Sequence, residues 1–138
     1  NQELLGRVQI EWFKSEIKKT VGPVMLISPQ QFLNYRNLAE SYQKKALRES
    51  NEFLKILREA NRPVVLVSGD VHYSQIQELP ASYVGHKTYE ITSSAFFSSS
   101  ARGYGRRNEK QGQLAYYGYP NFVMLKLITV QPQLLRMK

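Results

Sequence analysis

The chain has 138 residues, 42% of them apolar, and its 19 basic and 11 acidic residues give a net charge of +8. This length suits one domain with a buried core, and the apolar fraction excludes a disordered tail. Because cysteine is absent, disulfide partners, thiolate zinc sites and a cysteine nucleophile are excluded. No apolar run is long enough for a transmembrane segment. The excess of basic residues is consistent either with binding to anionic partners or with a solvated surface.

The first half of the chain predicts alternating helices and strands. Residues 7–19 place apolar side chains at helical spacing, and residues 24–27 form a short apolar strand. Residues 39–60 give the clearest amphipathic helix, and the β-branched run at 64–67 predicts a strand buried on both faces. This order predicts an α/β sheet covered by helices. The apolar side chains of the first helix are Val8, Ile10, Trp12, Phe13 and Ile17.

The second half is richer in strands and loops. Residues 88–92 predict a strand, and a serine-rich loop follows it. Residues 101–113 combine glycines with basic side chains and predict a basic loop. Residues 122–128 and 133–137 predict a closing hairpin. The basic side chains of the loop are Arg102, Arg106, Arg107 and Lys110.

The strand at 64–67 runs into Ser68-Gly69-Asp70-Val71-His72, which is the strongest chemical signal in the chain. Gly69 frees the backbone to turn at the carboxyl end of the strand. In an extended chain, Asp70 and His72 point the same way, so a carboxylate and an imidazole are aimed at a common point. Ligand sites of open α/β sheets lie outside the carboxyl ends of their strands. The pattern therefore predicts a metal-binding corner, with a capping Asp and a packed His as the alternative.

This motif is one of four sequence stretches whose order and spacing along the chain can be compared with those of a protein family. Residues 5–13 read Leu-Gly-Arg-Val-Gln-Ile-Glu-Trp-Phe, and residues 24–31 form a strand and a loop. Residues 65–74 contain the Ser-Gly-Asp-Val-His motif, and residues 89–94 read Tyr-Glu-Ile-Thr-Ser-Ser. In order and spacing, the four stretches resemble the C-terminal part of PhoD-like alkaline phosphatases. That family is a branch of the calcineurin-like metallophosphoesterases.

The resemblance implies an α/β fold that is an incomplete part of a two-sheet sandwich flanked by helices. Residues 1–138 would form a single domain, the C-terminal portion of a PhoD-like domain. The implied activity is metal-dependent hydrolysis of phosphomonoesters or phosphodiesters by two divalent or trivalent ions, such as iron, calcium, zinc or manganese. By position in the family motif, His72 binds one metal ion, and Asp70 either binds the other or acts through a neighbouring ligand. No residue of this chain is assigned a catalytic role.

Further residues near the motif are candidates for contacting the phosphate-ester substrate. For each of them a structural alternative stays open: core packing for the tyrosine, loop packing for the serines and a solvated loop for the arginines. The arginines would steer or clamp phosphate. The candidates are Tyr73, Ser93, Ser94, Arg102 and Arg106.

The other metal motifs of the family lie upstream of its Leu-Gly helix, and they are absent here. The remaining histidine, His86, is interpreted as a surface residue in a turn. We therefore expect the chain to be a fragment that is inactive alone, with an apolar edge covered by the missing N-terminal half. Export to the periplasm or the extracellular space is an expectation by family analogy alone.

Two other classes of function stay open. The first is a basic module that binds nucleic acid or another polyanion without catalysis. The net charge and the aromatic-basic stretch 102–119 support this hypothesis. Tyr116, Tyr117 and Tyr119 would then stack on bases, or alternatively form a strand edge. A structural half that completes the sheet of a partner is the third possibility. Gln31, after the first strand, either reaches the site or lies in a solvated turn.

Overall fold

Helices and strands alternate along the chain. The structure, a computed structural model, describes residues 2–33, 41–97 and 112–128. The helices are α1 (Gly6–Lys19), α2 (Tyr42–Lys45), α3 (Leu47–Ala60) and α4 (Ala81–Val84). The strands are β1 (Val24–Ile27), β2 (Val64–Ser68), β3 (Ser74–Leu79), β4 (Thr88–Thr92) and β5 (Gln113–Tyr117). Within these ranges, no helix has the length and apolar character needed to cross a membrane. The predicted α/β class is confirmed.

The five strands form one mixed sheet in the order β1-β2-β4-β3-β5. Strands β1, β2 and β4 run parallel to one another, whereas β3 is antiparallel to both β4 and β5. The carboxyl ends of β1, β2 and β4 therefore meet at the same edge of the sheet. Strands β1 and β5 lie at the two ends of the sheet. A second sheet, as in the expected sandwich, is not found within the described ranges.

The core lies between the helices and one face of the sheet. Ile10 and Ile17 of α1, Leu57 of α3 and Leu66 of β2 belong to one buried cluster. The side chain of Phe53 extends this cluster as a stack of aromatic rings, with its centroid 4.7 Å from that of Phe13 and 5.7 Å from that of Phe32. The core therefore joins both long helices to the parallel part of the sheet.

The buried face of α1 differs from the one that its apolar residues suggest. Ile10 and Ile17 are buried, but Val8 is 86% exposed and Trp12 is 60% exposed. The side chains at positions 10, 13 and 17 form one stripe along the helix, while Val8 and Trp12, four residues apart, form another. Only the first stripe meets the core.

The predicted helix over 39–60 is confirmed from Tyr42 onward; its first two positions lie outside the described ranges. It is interrupted at Ala46, whose φ of −135° and ψ of 60° are not helical. The Ser41 side chain accepts from the backbone N–H of Lys44 and begins α2. Asn61 ends α3 in the left-handed conformation with φ 49°.

Strand β2 forms where its β-branched run predicts, but it is not buried on both faces. Val64 and Leu66 are buried, whereas Val65 and Val67 are half-buried. The reason is that the helices pack against the face that carries Val64 and Leu66, as their shared core cluster indicates.

The predicted hairpin at the end of the chain is wrong in its first strand. Residues 122–128 form no strand; beside them, Asn121 makes an isolated bridge to Ala95. Phe122, Met124 and Leu127 are exposed, so this apolar run has no sheet face to cover. Its predicted partner, 133–137, lies outside the described residues. The edge position of β5 instead agrees with the strand-edge interpretation of the tyrosine cluster.

Candidate functional site

The turn between β2 and β3, residues 69–73, carries the strongest sequence signal. A Cβ atom at Gly69 would lie 3.2 Å from the carbonyl oxygen of Pro29, so glycine lets the turn pass close to the loop after β1. The next residues do not continue as extended chain, because Asp70 has φ 74° and His72 has φ 57°. The expectation of an extended chain, from which Asp70 and His72 would point the same way, is therefore wrong.

The turn nevertheless exposes both candidate ligands. Asp70 and His72 are exposed, whereas Val71 and Tyr73 are buried at 5% and 3% exposure. The two buried side chains anchor the turn and compensate for its backbone conformation. Left-handed backbone at a residue other than glycine costs about 1–3 kcal/mol, and such residues cluster at functional sites. Two of them within three positions mark this turn as the candidate site.

The loop after β4 holds the turn in place. The backbone N–H of His72 donates to Ser94 Oγ at 3.3 Å, and the backbone N–H of Val123 donates to Ser93 Oγ at 3.0 Å. Both predicted substrate-contacting serines thus accept hydrogen bonds from the backbone. These contacts agree with loop packing, and a substrate contact by either hydroxyl stays a prediction.

Tyr73 lies beneath the turn rather than on its surface. Its buried ring packs against Tyr116 of β5 with a centroid distance of 5.4 Å and a tilt of 52°. This placement favours the packing alternative, and a phosphate contact stays a prediction. The predicted basic side chains Arg102, Arg106 and Arg107 lie outside the described residues.

Asp70 and His72 fit part of a metal site. A carboxylate and an imidazole are ligands that suit zinc, iron and manganese. Within residues 2–33, 41–97 and 112–128, however, no three His, Cys, Asp or Glu side chains gather where they could hold a metal ion. The two donors therefore match the predicted corner of a site, and the rest of a ligand set does not come from the described part of the chain.

Sequence reasoning missed the buried carboxylate of Glu90. On β4, Thr88, Glu90 and Thr92 face the interior, while Tyr89 and Ile91 share the less buried face. Burial raises the pKa of Glu90 to about 7, against hydrogen bonds from Ser68 and from backbone N–H groups that act to lower it. The alternation of polar residues at 88, 90 and 92 is the one signal that marks this face.

Gln31 also differs from its favoured interpretation as a residue of a solvated turn. It is fully buried, and its Nε2 donates to Thr92 Oγ1 at 2.9 Å. His86 lies far from the turn, at the amino end of β2, where its Nε2 accepts from the backbone N–H of Val64 at 3.1 Å. It is half-buried rather than a surface residue.

Comparison with known proteins supports the fold. No family model matches the chain, and no curated protein matches it. A solved structure described as "Structure of PhoD" is similar, with a TM-score of 0.69 at 16% sequence identity. The likeness covers 88% of this chain and 27% of that chain, so the present chain spans about a quarter of its length. The mixed sheet with flanking helices is therefore a PhoD-like fold.

Proposed function

We propose that the protein is a metal-dependent phosphoester hydrolase acting on phosphomonoesters or phosphodiesters. In this proposal, Asp70 and His72 supply ligands at one corner of a site for two metal ions. The observation that carries the proposal is the placement of these two residues. Both are exposed in a left-handed turn directly after β2, at the edge where the parallel strands end. The PhoD-like fold supports the same class of function by analogy.

The imidazole of His72 suits iron, zinc or manganese, whereas calcium would be bound through oxygen donors such as the carboxylate of Asp70. In such two-metal sites, bound ions activate a water molecule and neutralise the phosphoryl oxygens. The contribution of this chain is to hold a carboxylate and an imidazole at fixed positions. Ser94 assists by accepting from the backbone N–H of His72.

The remaining ligands, in this proposal, come from the rest of the same protein, packed against α1 and β1. Strand β1 ends the sheet order, and Ile27 on it is 75% exposed. A groove of about 710 Å³ runs between α1 and β1 and reaches Asp70. Trp12 lines the groove and is mostly exposed. A segment that fills this groove would come next to Asp70, where further ligands are needed.

The decisive experiment compares the two histidines of the chain. In the intact protein, His72→Ala is expected to lower hydrolysis of p-nitrophenyl phosphate and bis-p-nitrophenyl phosphate at least 100-fold. Metal content, measured by elemental analysis of the purified protein, is expected to fall with it. His86→Ala is the matched control, since it removes an imidazole at the opposite end of β2. It should leave metal content unchanged, with at most a loss of stability.

Retention of full activity and metal by His72→Ala would reject the proposal. Binding to nucleic acid that weakens steeply with salt and needs no metal would then favour the basic-module alternative. Asp70→Asn provides a second test, because it keeps the shape of the side chain while removing the charge that a metal ion requires.

A further inference from the structure

Three buried polar side chains form a connected hydrogen-bond network beneath the candidate turn, and the buried carboxyl of Glu90 lies beside them. Glu90, Thr92 and Gln31 have no exposed surface, and Ser68 is 4% exposed. Gln31 Nε2 lies 2.9 Å from Thr92 Oγ1, and Thr92 Oγ1 lies 3.0 Å from Ser68 Oγ. Burial raises the pKa of the neighbouring Glu90 carboxyl, and the Ser68 hydroxyl acts to lower it.

The chemistry of these groups gives the chain a direction. Because the amide of Gln31 donates to Thr92, the hydroxyl proton of Thr92 is free to point at Ser68. Ser68 Oγ can then accept that proton, so that the hydrogen bonds run from Gln31 through Thr92 to Ser68. Beside this network, the oxygens of Glu90 accept from the backbone N–H groups of residues 32 and 33, at 2.7 Å and 3.0 Å. Such fully satisfied buried networks favour a single arrangement of the elements they join.

The hydrogen-bonded network joins the three segments that surround the turn. Ser68 is the last residue of β2 and directly precedes Gly69, while Thr92 is the last residue of β4 and directly precedes Ser93. The two are register partners across the parallel strands. Gln31 belongs to the loop after β1, the same loop whose Pro29 carbonyl approaches Gly69. The hydrogen-bonded network therefore connects the segments that lead into the loops bordering Asp70 and His72.

We propose that the hydrogen-bonded network Gln31–Thr92–Ser68 positions the turn of Asp70 and His72 for metal binding. This inference rests on the proposed metal site. In it, Thr92 is a positioning residue, since its hydroxyl accepts from Gln31 and contacts Ser68 without reaching the turn itself. Removing that hydroxyl leaves Ser68 and Gln31 without their shared partner and loosens the ends of β2 and β4 relative to each other.

Strand β4 supplies a matched control in Thr88. Its side chain is also buried, and its hydroxyl donates to the carbonyl of Val64 at the amino end of β2. Thr92→Val and Thr88→Val therefore make the same change of shape on the same strand; Thr88→Val removes one buried hydrogen bond and Thr92→Val removes two. Both variants should lose stability, and Thr92→Val should lose more because it removes one more hydrogen bond. Only the Thr92 variant should weaken metal binding at the turn of Asp70 and His72.

The affinity for Mn²⁺ is measured by titration calorimetry of the intact, metal-stripped protein. Thr92→Val is expected to weaken Mn²⁺ binding by about tenfold, the lower end of the range for residues that support metal ligands. Thr88→Val is expected to stay within about twofold of the wild type, and Thr92→Ser to restore binding by returning the hydroxyl. Hydrogen exchange adds a metal-free readout, because the amide of His72 should exchange faster in Thr92→Val alone.

The outcomes separate this inference from the proposed function. If Mn²⁺ binding survives His72→Ala, the proposed site itself is wrong. If His72→Ala abolishes binding while Thr92→Val and Thr88→Val bind Mn²⁺ equally well, only the positioning role is rejected. Should Thr92→Val fail to fold, Ser68→Ala tests the next link of the chain with the same expectation, and wild-type Mn²⁺ affinity in that variant rejects the role.

Discussion

The carboxylate of Glu90 accepts a hydrogen bond from the backbone N–H of Phe32 at 2.7 Å, although 58 positions separate the two residues in the chain. The other carboxylate oxygen accepts from the N–H of Leu33 at 3.0 Å. These two backbone groups lie in the loop after β1, outside any helix or strand. The buried carboxylate therefore satisfies donors that secondary structure leaves unpaired. It also ties that loop to the middle of the sheet.

The first prediction is a loss of stability as the pH rises. Burial raises the pKa of Glu90 from its ordinary 4.5 to about 7. Between these values the folded protein holds a proton that the unfolded chain has released. The free energy of unfolding should therefore fall, by about 3 kcal/mol in total, as the pH rises from about 5 through about 7. Urea unfolding at a series of pH values measures this change.

Glu90→Gln is the control for this prediction, because an amide does not titrate. The difference in unfolding free energy between wild type and variant isolates the contribution of Glu90 from that of other groups. That difference should vary between about pH 5 and about pH 7 and be constant outside this window. A difference that is constant throughout would contradict the raised pKa.

The sequence predicts the parallel half of the sheet better than the antiparallel half. Residues 64–67 form a continuous, mainly β-branched run and α3 carries a helical period of apolar residues, and both elements form. Strand β3 was missed because Gln75 and Gln77 occupy its buried face. Gln75 Oε1 accepts from Gln113 Nε2 of β5 at 2.9 Å, so the amides satisfy each other across the strands. Hydrophobic periodicity cannot reveal a buried face that is made of paired polar groups.

The sequence marks Asp70 and His72 as candidate ligands, but it does not predict the geometry of their turn. The spacing of Asp70 and His72 marks them as neighbours on the chain, but their left-handed conformation depends on the burial of Val71 and Tyr73. That burial is set by residues distant in sequence, such as Tyr116. Glu90 was missed for the same reason: a lone carboxylate in a strand pattern gives no sign of which backbone groups will surround it.

A second prediction concerns the start of α1. Glu49 of α3 accepts from the backbone N–H groups of Leu4, Leu5 and Gly6 at 3.1, 3.0 and 2.8 Å. It thereby serves as the cap that Leu5, the N-cap residue, cannot provide. Glu49→Gln removes the charge and one acceptor and should lower the free energy of unfolding by about 1–2 kcal/mol. Chemical denaturation at neutral pH measures the loss.

The control lies on the same helix. Glu52→Gln breaks only an exposed ion pair with Arg7, whose N–O distance is 2.7 Å, and should change stability by less than about 1 kcal/mol. Although burial acts to raise the pKa of Glu49, the three backbone donors outweigh it, and the pKa lies below its ordinary value. The stabilisation is therefore present above the unfolded pKa and is lost as the pH falls through the lower folded value. Equal effects of the two variants at neutral pH would refute the capping role.

A third prediction concerns Gly112, which directly precedes β5. Its φ is 78°, and a Cβ there would lie 2.8 Å from the carbonyl oxygen of Glu78. That contact is with backbone, so Gly112→Ala combines left-handed strain with displacement of β3 from β5. We expect a loss of about 2–4 kcal/mol in unfolding free energy. Gly22→Ala is the matched control, because Gly22 has φ 95° with nothing within 4 Å of a Cβ, and it should cost about 1 kcal/mol. Thermal unfolding of both variants measures the two losses of stability. Similar losses would show that the close approach at Gly112 is unimportant.

The last prediction tests whether another segment covers β1 in the intact protein. Ile27 lies on this edge strand beside the groove that reaches Asp70, and its side chain is 75% exposed. Val21 precedes the strand, does not line the groove and is 92% exposed. If the edge were solvated, lysine would be tolerated at either position, as charged side chains commonly are on edge strands. If the rest of the domain packs there, Ile27→Lys buries an unpaired ammonium and should cost about 2 kcal/mol or more, whereas Val21→Lys should cost less than about 0.5 kcal/mol. Unfolding of the two variants in the intact protein makes the comparison, and an equally small effect of both would mean that the edge of the sheet is open to water.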